Sequence, residues 1–217
     1  MASTTNGNCY LCGFEAKKTV MKNHALKKHS EGDEPCFLLV IEGLYDPDYW
    51  LVADVALDKP LSALDTFLRK IWLECCGHLS RFSVDGRFEN SIGKNRKFDE
   101  FIPGEKIFHM YDYGTSTETK ITFVERTARP KQRAAVRLIA RNIPPQLPCE
   151  KCGKPAKFIC VKYDGNYEEI LLCSDCVDED ADNEMMLPVT NSPRCGQCGY
   201  CGELDVFEYK PADGKGD

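Results

Sequence analysis

Pro60-Leu-Ser-Ala-Leu-Asp-Thr-Phe-Leu-Arg-Lys-Ile-Trp-Leu73 is the stretch on which the fold turns. Leu61, Leu64, Leu68 and Ile71, broadened by Phe67 and Trp72, recur at three- and four-residue steps. That period places them on one face of a helix running to about Leu73. Asp58 offers an N-cap, with Pro60 in the first turn. Upstream, Phe37-Leu-Leu-Val-Ile41 reads as a short buried strand, and Trp50 to Leu57 as a second, bounded by Asp46-Pro47 and Lys59-Pro60. Downstream, Leu79 to Val84, Ile107 to Asp112 and Thr119 to Glu125 read as strands, and Ala135 to Asn142 as an edge strand before Pro144-Pro145. Two strands, a helix and then several strands is an α+β pattern. The expected domain, residues 36–143, is a β-grasp-like mixed sheet packed on one main helix.

Working outward, both flanks carry metal-ligand spacing. Near the N-terminus, Cys9-x2-Cys12 is followed by eleven residues and then His24-x4-His29. This is close to the two-Cys, two-His finger, whose middle spacer is usually twelve. Thr19 to Lys28 is the expected helix, and Phe14 and Met21 the small apolar core under the metal. A module of this size buries too little surface to fold alone, so zinc has to supply its folding energy, on the order of 10–16 kcal/mol in finger peptides. Residues 1–30 are therefore expected to be a zinc finger, with Ser30 to Pro35 as a linker.

Toward the C-terminus, residues 149–209 form a Cys-rich module, followed by a tail, 210–217, expected to be disordered. Cys149-x2-Cys152 and Cys173-x2-Cys176 stand twenty residues apart, the spacing of a four-thiolate zinc site. Four thiolates complete a zinc tetrahedron and leave no vertex for water or substrate, so such a site holds a fold together. Cys160 and the run Cys195-Gly-Gln-Cys198-Gly-Tyr-Cys201 make a candidate second, interleaved site. Two rivals stand beside it: only two of the last three cysteines bind, leaving a reactive thiol, or the run holds an iron–sulfur cluster. The absence of a fourth Cys and its Pro counts against the cluster. Two to three zinc ions per chain are expected.

The chain has 217 residues and 24.5 kDa, with 42% hydrophobic and 29% charged residues, as in an ordinary globular protein. No apolar run approaches a membrane span, and Met1 to Asn8 lacks a signal pattern. A cytoplasmic location follows as the expectation, and there 13 Cys favour metal over disulfides. The net charge of −6 argues against a nucleic-acid coat protein, yet residues 15–29 carry five Lys against one Glu, and residues 126–141 five Arg and one Lys with no acid. Lys17, Lys18, Lys22, Lys27 and Lys28 could meet the phosphates of DNA or RNA. Solvated faces, and a protein–protein adaptor without nucleic-acid binding, are the competing readings.

His78, His109, Asp112 and Glu118 are the residues that tempt an enzymatic reading, the first three as a hydrolase or nuclease. That reading requires all three in one pocket. His109 and Asp112, three apart on a strand, are expected to point to opposite faces, and His78 is expected to cap a helix end. Asp112-Tyr-Gly114 reads as a turn with Gly114 at positive φ. Cys36, Cys75 and Cys76 read as buried small apolar residues. No phosphate loop, dinucleotide fingerprint or H-E-x-x-H motif occurs.

Leu64-Asp-Thr-Phe-Leu-Arg69, Ile71-Trp-Leu-Glu-Cys-Cys-Gly-His78, Leu79-Ser-Arg-Phe82 and Pro103-Gly-Glu-Lys-Ile-Phe-His-Met-Tyr-Asp-Tyr-Gly-Thr-Ser-Thr-Glu118 resemble the plasmid pRiA4b open-reading-frame-three-like family over about residues 37–143. The resemblance continues through Arg141-Asn-Ile-Pro-Pro145 and the knuckles to Asn191-Ser-Pro-Arg194 and Cys198-Gly-Tyr200, as in zinc-bearing members. Tyr113 stands for the usual Phe, and Tyr163 where some members carry a ligand Cys. The resemblance implies an α+β domain associated with mobile elements and implies no catalytic mechanism. The finger lies outside it.

Overall fold

A computed structural model describes residues 3–87, 89–163, 167–177, 185–202 and 207, and of residues 162, 163, 167 and 168 the backbone alone. Residues 178–184 and the expected tail at 210–217 lie outside the described residues.

In chain order the elements are β1 (Asn6–Cys9), β2 (Glu15–Lys17), α1 (Lys18–Lys28), β3 (Glu34–Gly43), β4 (Trp50–Ala56), α2 (Leu61–Leu68) continuing into a π-helical turn (Arg69–Leu73), β5 (Ser80–Ser83), β6 (Ser91–Ile92), β7 (Lys106–Tyr111), β8 (Thr117–Arg129), β9 (Val136–Asn142), β10 (Phe158–Tyr163), β11 (Tyr167–Leu172) and β12 (Met185–Pro188). Nine strands form one sheet in the order β2-β1-β9-β4-β3-β8-β7-β5-β6, and β11-β10-β12 form a second. The architecture is α+β. Every described pairing between strands is antiparallel, where the sequence had suggested a mixed sheet.

The central strands read as unbroken apolar runs because both faces of the sheet are covered. Phe37, Leu39 and Ile41 of β3, with Leu51, Ala53 and Val55 of β4, pack against Leu61, Leu64, Leu68 and Ile71 of α2 and its extension. The alternate residues Leu38, Val40, Trp50 and Val52 face the other way and meet Met21 and Ala25 of α1. Alternation in a strand sends successive side chains to opposite faces, and burying each large apolar side chain contributes roughly 1.5–3 kcal/mol. The sheet thus rests on two helices, not one.

That second helix changes the place of the N-terminal finger. Its β1 pairs with β9 through Gly7↔Asn142 and Cys9↔Ala140. The expected edge strand is therefore interior, flanked by β4 and β1. Gly7 is required there: a Cβ would come within 2.4 Å of both the Arg141 carbonyl and the Trp50 ring. Two smaller expectations are also corrected. Pro60, not Asp58, is the N-cap of α2 because the helix begins at Leu61, two residues later than an Asp58 cap requires; Asp58 Oδ2 instead accepts from Lys59 Nζ at 2.9 Å. Asp112, not Gly114, takes the left-handed conformation at φ 66, and its Oδ1 accepts from the Gly114 N–H at 2.9 Å.

Candidate metal centres

Three groups of four Cys and His side chains each bring their ligand atoms within 4.8 Å of one another, and each could hold a metal ion. Tetrahedral coordination with Zn–S near 2.3 Å and Zn–N near 2.0–2.1 Å sets ligand atoms about 3.3–3.8 Å apart. The close ligand-atom pairs lie between 2.9 and 3.7 Å, from within that range to about 0.4 Å short of it. They are far longer than the S–S bond of a disulfide, about 2.05 Å.

The first group is Cys9, Cys12, His24 and His29. The Gly13 N–H bonds the Cys9 carbonyl at 2.9 Å, with Gly13 at φ 75, folding the chain so that both sulfurs face α1. His24 lies on the helix, while His29 is its C-cap residue at φ −132. The five-residue step therefore works because the second imidazole sits just beyond the regular helix. Cys9 Sγ is 3.4 Å from His29 Nε2, Cys12 Sγ 3.2 Å from His24 Nε2, and the two Nε2 atoms are 3.1 Å apart. Burial, reinforced by Lys28, lowers the His24 pKa; burial, with His24 and Arg137, lowers that of His29. Both shifts favour the neutral imidazole, the form that binds a metal. Met21 is buried beneath them as expected, whereas Phe14 is 40% exposed and stacks on His24 with centroids 4.4 Å apart.

The second group is Cys149, Cys152, Cys173 and Cys176. The twenty residues between its knuckles include the strands β10 and β11, whose register Phe158↔Leu172 returns the chain to its start. Hydrogen bonds from Glu150 N to Leu171 O, 2.9 Å, and from Lys157 N to Leu172 O, 2.8 Å, lock the knuckles to the strand ends. Cys152 and Cys173 sulfurs are 3.5 Å apart. Burial raises the Cys149 pKa, but the N–H groups of Cys173, Cys152 and Lys151 outweigh it and bring the thiol down to about 6. Such N–H donation favours the thiolate that a metal needs.

The third group, Cys75, Cys76, His78 and Cys198, was not expected from the sequence. Cys76 Sγ lies 2.9 Å from His78 Nε2 and 3.7 Å from Cys198 Sγ, and His78 Nε2 is 3.2 Å from Cys198 Sγ. The interleaved quartet is accordingly not gathered. Cys198 has left it for the helix end, Cys160 is buried beside Cys149 and Cys173, Cys195 Sγ accepts from the Thr190 N–H at 3.1 Å, and Cys201 is exposed. Of the three cysteines expected as small apolar fillers, only Cys36 is buried; Cys75 is partly exposed and Cys76 exposed.

The catalytic candidates do not converge. His78 Nε2 and Asp112 Oδ2 are 3.4 Å apart, so His78 faces thiols and a carboxylate and does not cap helix carbonyls. His109 is fully buried elsewhere, its Nε2 2.8 Å from Asp65 Oδ1. Asp65 also accepts from Ser80 Oγ at 2.7 Å and Lys94 Nζ at 2.9 Å. Despite burial, the bonds from His109, Ser80 and Lys94 hold its carboxyl far below the usual range.

The basic runs divide. On the finger, Lys17, Lys27 and Lys28 are exposed, Lys22 is half-buried, and Lys18 is ion-paired with Glu42. The arginines of 126–141 largely serve the fold. Arg129 is sealed against Asp54 and Glu34, Arg137 bonds Asp54 and the His29 carbonyl, Arg141 bonds the Asn191 carbonyl, and Arg126 bonds the carbonyls of Asp99 and Phe101.

Among the described residues no helix is long and apolar enough to cross a membrane. No family model matches the chain, and no curated protein matches it. Among solved structures it is similar to the crystal structure of a protein of unknown function, MM3350, from Methanosarcina mazei Go1, with a TM-score of 0.41 and 15% identity over 56% of this chain and 75% of that one.

Proposed function

We propose that this chain is a non-enzymatic zinc protein whose N-terminal finger helix engages DNA or RNA. The donor chemistry supports zinc: thiolates with imidazoles, in four-membered sets at tetrahedral separations, suit that ion best. Cys9, Cys12, His24 and His29 would hold one ion and Cys149, Cys152, Cys173 and Cys176 another. With every vertex filled by protein, each ion is structural, consistent with a reducing, cytoplasmic setting.

The observation that carries the nucleic-acid reading is the outward face of α1. In a finger of this kind, positions −1, 3 and 6 relative to the helix start read bases. Counting from Lys18, these are Lys17, Val20 and Asn23, all exposed, with Val20 at 52%. Lys22, Lys27 and Lys28 stand beside them for phosphates. Residue types match the roles: Lys contacts guanine acceptors, Asn pairs with adenine, and an apolar side chain suits the thymine methyl.

The adaptor reading draws on a different observation. The Arg-rich run that would have widened the phosphate surface is bonded within the fold. Membership of the pRiA4b-type family, and the mobile-element association it implies, belongs to the same proposal and rests on the two motifs around Leu61–Phe82 and Pro103–Glu118.

Fluorescence anisotropy of labelled duplex DNA and RNA at about 50 and 200 mM salt separates the readings. The nucleic-acid reading expects binding that weakens steeply with salt. It also expects Lys27→Ala to weaken all sequences alike and to reduce the salt slope by about one. No binding at the lower salt leaves the adaptor.

A further inference from the structure

We infer that Cys75, Cys76, His78 and Cys198 form a third zinc centre that clamps the C-terminal segment 191–200 onto the end of the α2 helix. This is independent of what the finger helix binds.

The ligands come from two places that meet only in the fold. Cys75, Cys76 and His78 follow the π-helical turn within five residues, and Gly77 at φ 80 reverses the chain between Cys76 and His78 so that sulfur and imidazole face the same point. Cys198 arrives 122 residues after Cys76. Its backbone is left-handed at φ 48, a conformation uncommon for a residue with a Cβ. Such strain persists only where the surroundings impose it, and here it sits on the residue whose sulfur closes the quartet. Cys75 to Cys76 is 3.6 Å and Cys76 to Cys198 3.7 Å, close to the roughly 3.8 Å edge of a zinc–thiolate tetrahedron. Three thiols lose their protons to solvent on binding, so the centre carries one net negative charge.

A buried cation answers that charge. Arg194 is fully buried, donates from Nη2 to Cys75 Sγ at 3.4 Å and to Asp112 Oδ2 at 2.9 Å, and from Nη1 to the Thr115 carbonyl at 3.0 Å and Thr117 Oγ1 at 2.9 Å. Outer groups that donate to a ligand sulfur and fix its position are the usual support of a metal site.

The clamp has a structural purpose. A helix end leaves carbonyls without partners, and the C-terminal segment supplies them: Ser192 Oγ donates to the Trp72 carbonyl at 2.7 Å and Tyr200 Oη to the Ile71 carbonyl at 3.4 Å. The metal would tie the two strands of chain together beside these bonds. None of its four ligands is fully buried, unlike Cys9 of the finger or Cys149 and Cys173 of the knuckles. This centre therefore gives up its metal first.

The test is zinc per full-length chain by inductively coupled plasma mass spectrometry. The wild type is expected to hold three and the C76S/C198S variant two, with finger-dependent binding unchanged. A wild type holding two, or a variant retaining three, overturns the centre. If the variant does not fold, graded EDTA on the wild type followed by hydrogen exchange decides. Removal of the first equivalent is expected to deprotect 71–80 and 191–200 while 9–29 and 149–176 keep their protection; deprotection elsewhere first, or a Cys76–Cys198 disulfide found by intact mass under reducing preparation, also overturns it.

Discussion

Arg129 and Asp54 form a fully enclosed ion pair, Nη1 to Oδ1 at 2.8 Å, with side-chain exposures of 0% and 1%. Asp54 lies in the middle of the apolar strand β4 and also accepts from Arg137 Nε at 2.8 Å, while Arg129 reaches Glu34 Oε2 at 2.6 Å. Removing one member of such a buried set leaves an uncompensated charge and costs about 3–5 kcal/mol. Asp54→Ala is therefore expected to lower stability by that amount in urea unfolding of the metal-loaded protein, whereas Lys59→Ala, part of an exposed pair with Asp58, shifts it by less than about 1 kcal/mol. Equal effects would contradict the assignment.

His109 is expected to titrate below its ordinary value of 6.5. Burial lowers its pKa, against the Asp65 carboxylate that raises it. Its Nε2 must carry the proton to donate to Asp65, and Nδ1 is buried without a partner, which suits a bare lone pair better than a second N–H. The folded pKa lies below the unfolded one, so its contribution is present above the unfolded value and lost as pH falls through the folded one. The stability gap between wild type and His109→Gln should accordingly narrow as pH falls below about 6.5. Proton titration by NMR should show no His109 transition near 6.5; a normal transition there would contradict the buried pair.

Loss of the finger metal is expected to reach beyond the finger. Because β1 pairs with β9 and Met21 and Ala25 cover the second face of the sheet, Cys12→Ser should remove one zinc and also raise hydrogen exchange along β9. An effect confined to residues 6–29 would mean that the finger is an independent appendage.

Tyr200→Phe removes the donor to the Ile71 carbonyl, and Ser192→Ala the donor to the Trp72 carbonyl. Both bonds are buried and the Ser192 bond is the shorter, 2.7 against 3.4 Å, so Ser192→Ala should destabilise by about 1–3 kcal/mol, the cost of an unsatisfied buried acceptor. Tyr200→Phe should cost less. The reverse order in thermal unfolding would argue against the capping role.

What could be read from the chain followed sequence distance. The finger and knuckle quartets rest on ligands a few residues apart or joined by one hairpin, so spacing reported them. The strands of the main domain stood out as apolar runs, but those runs could not reveal which element covered the second face. That cover is α1, a segment set apart in sequence by the linker at 30–35. Val136–Asn142 looked like an edge because its partner β1 lies more than a hundred residues upstream. The arginines at 129, 137 and 141 looked available for phosphate because their acids, Asp54 and Glu34, and the Asn191 carbonyl are equally remote. The third quartet hid for the same reason: Cys75 and Cys76 sit at a helix end with no second knuckle nearby, and Cys198 was drawn by local spacing into a group with Cys195 and Cys201. A signal did exist in Cys75-Cys-Gly-His78, three metal-binding residues around a glycine.

Native mass spectrometry of the intact, reduced chain tests the central claim most directly, since the account stands on metal ions saturated by these side chains. It predicts a single dominant species carrying three zinc ions, one for each quartet. A folded chain carrying no zinc, or carrying iron in its place, would contradict it.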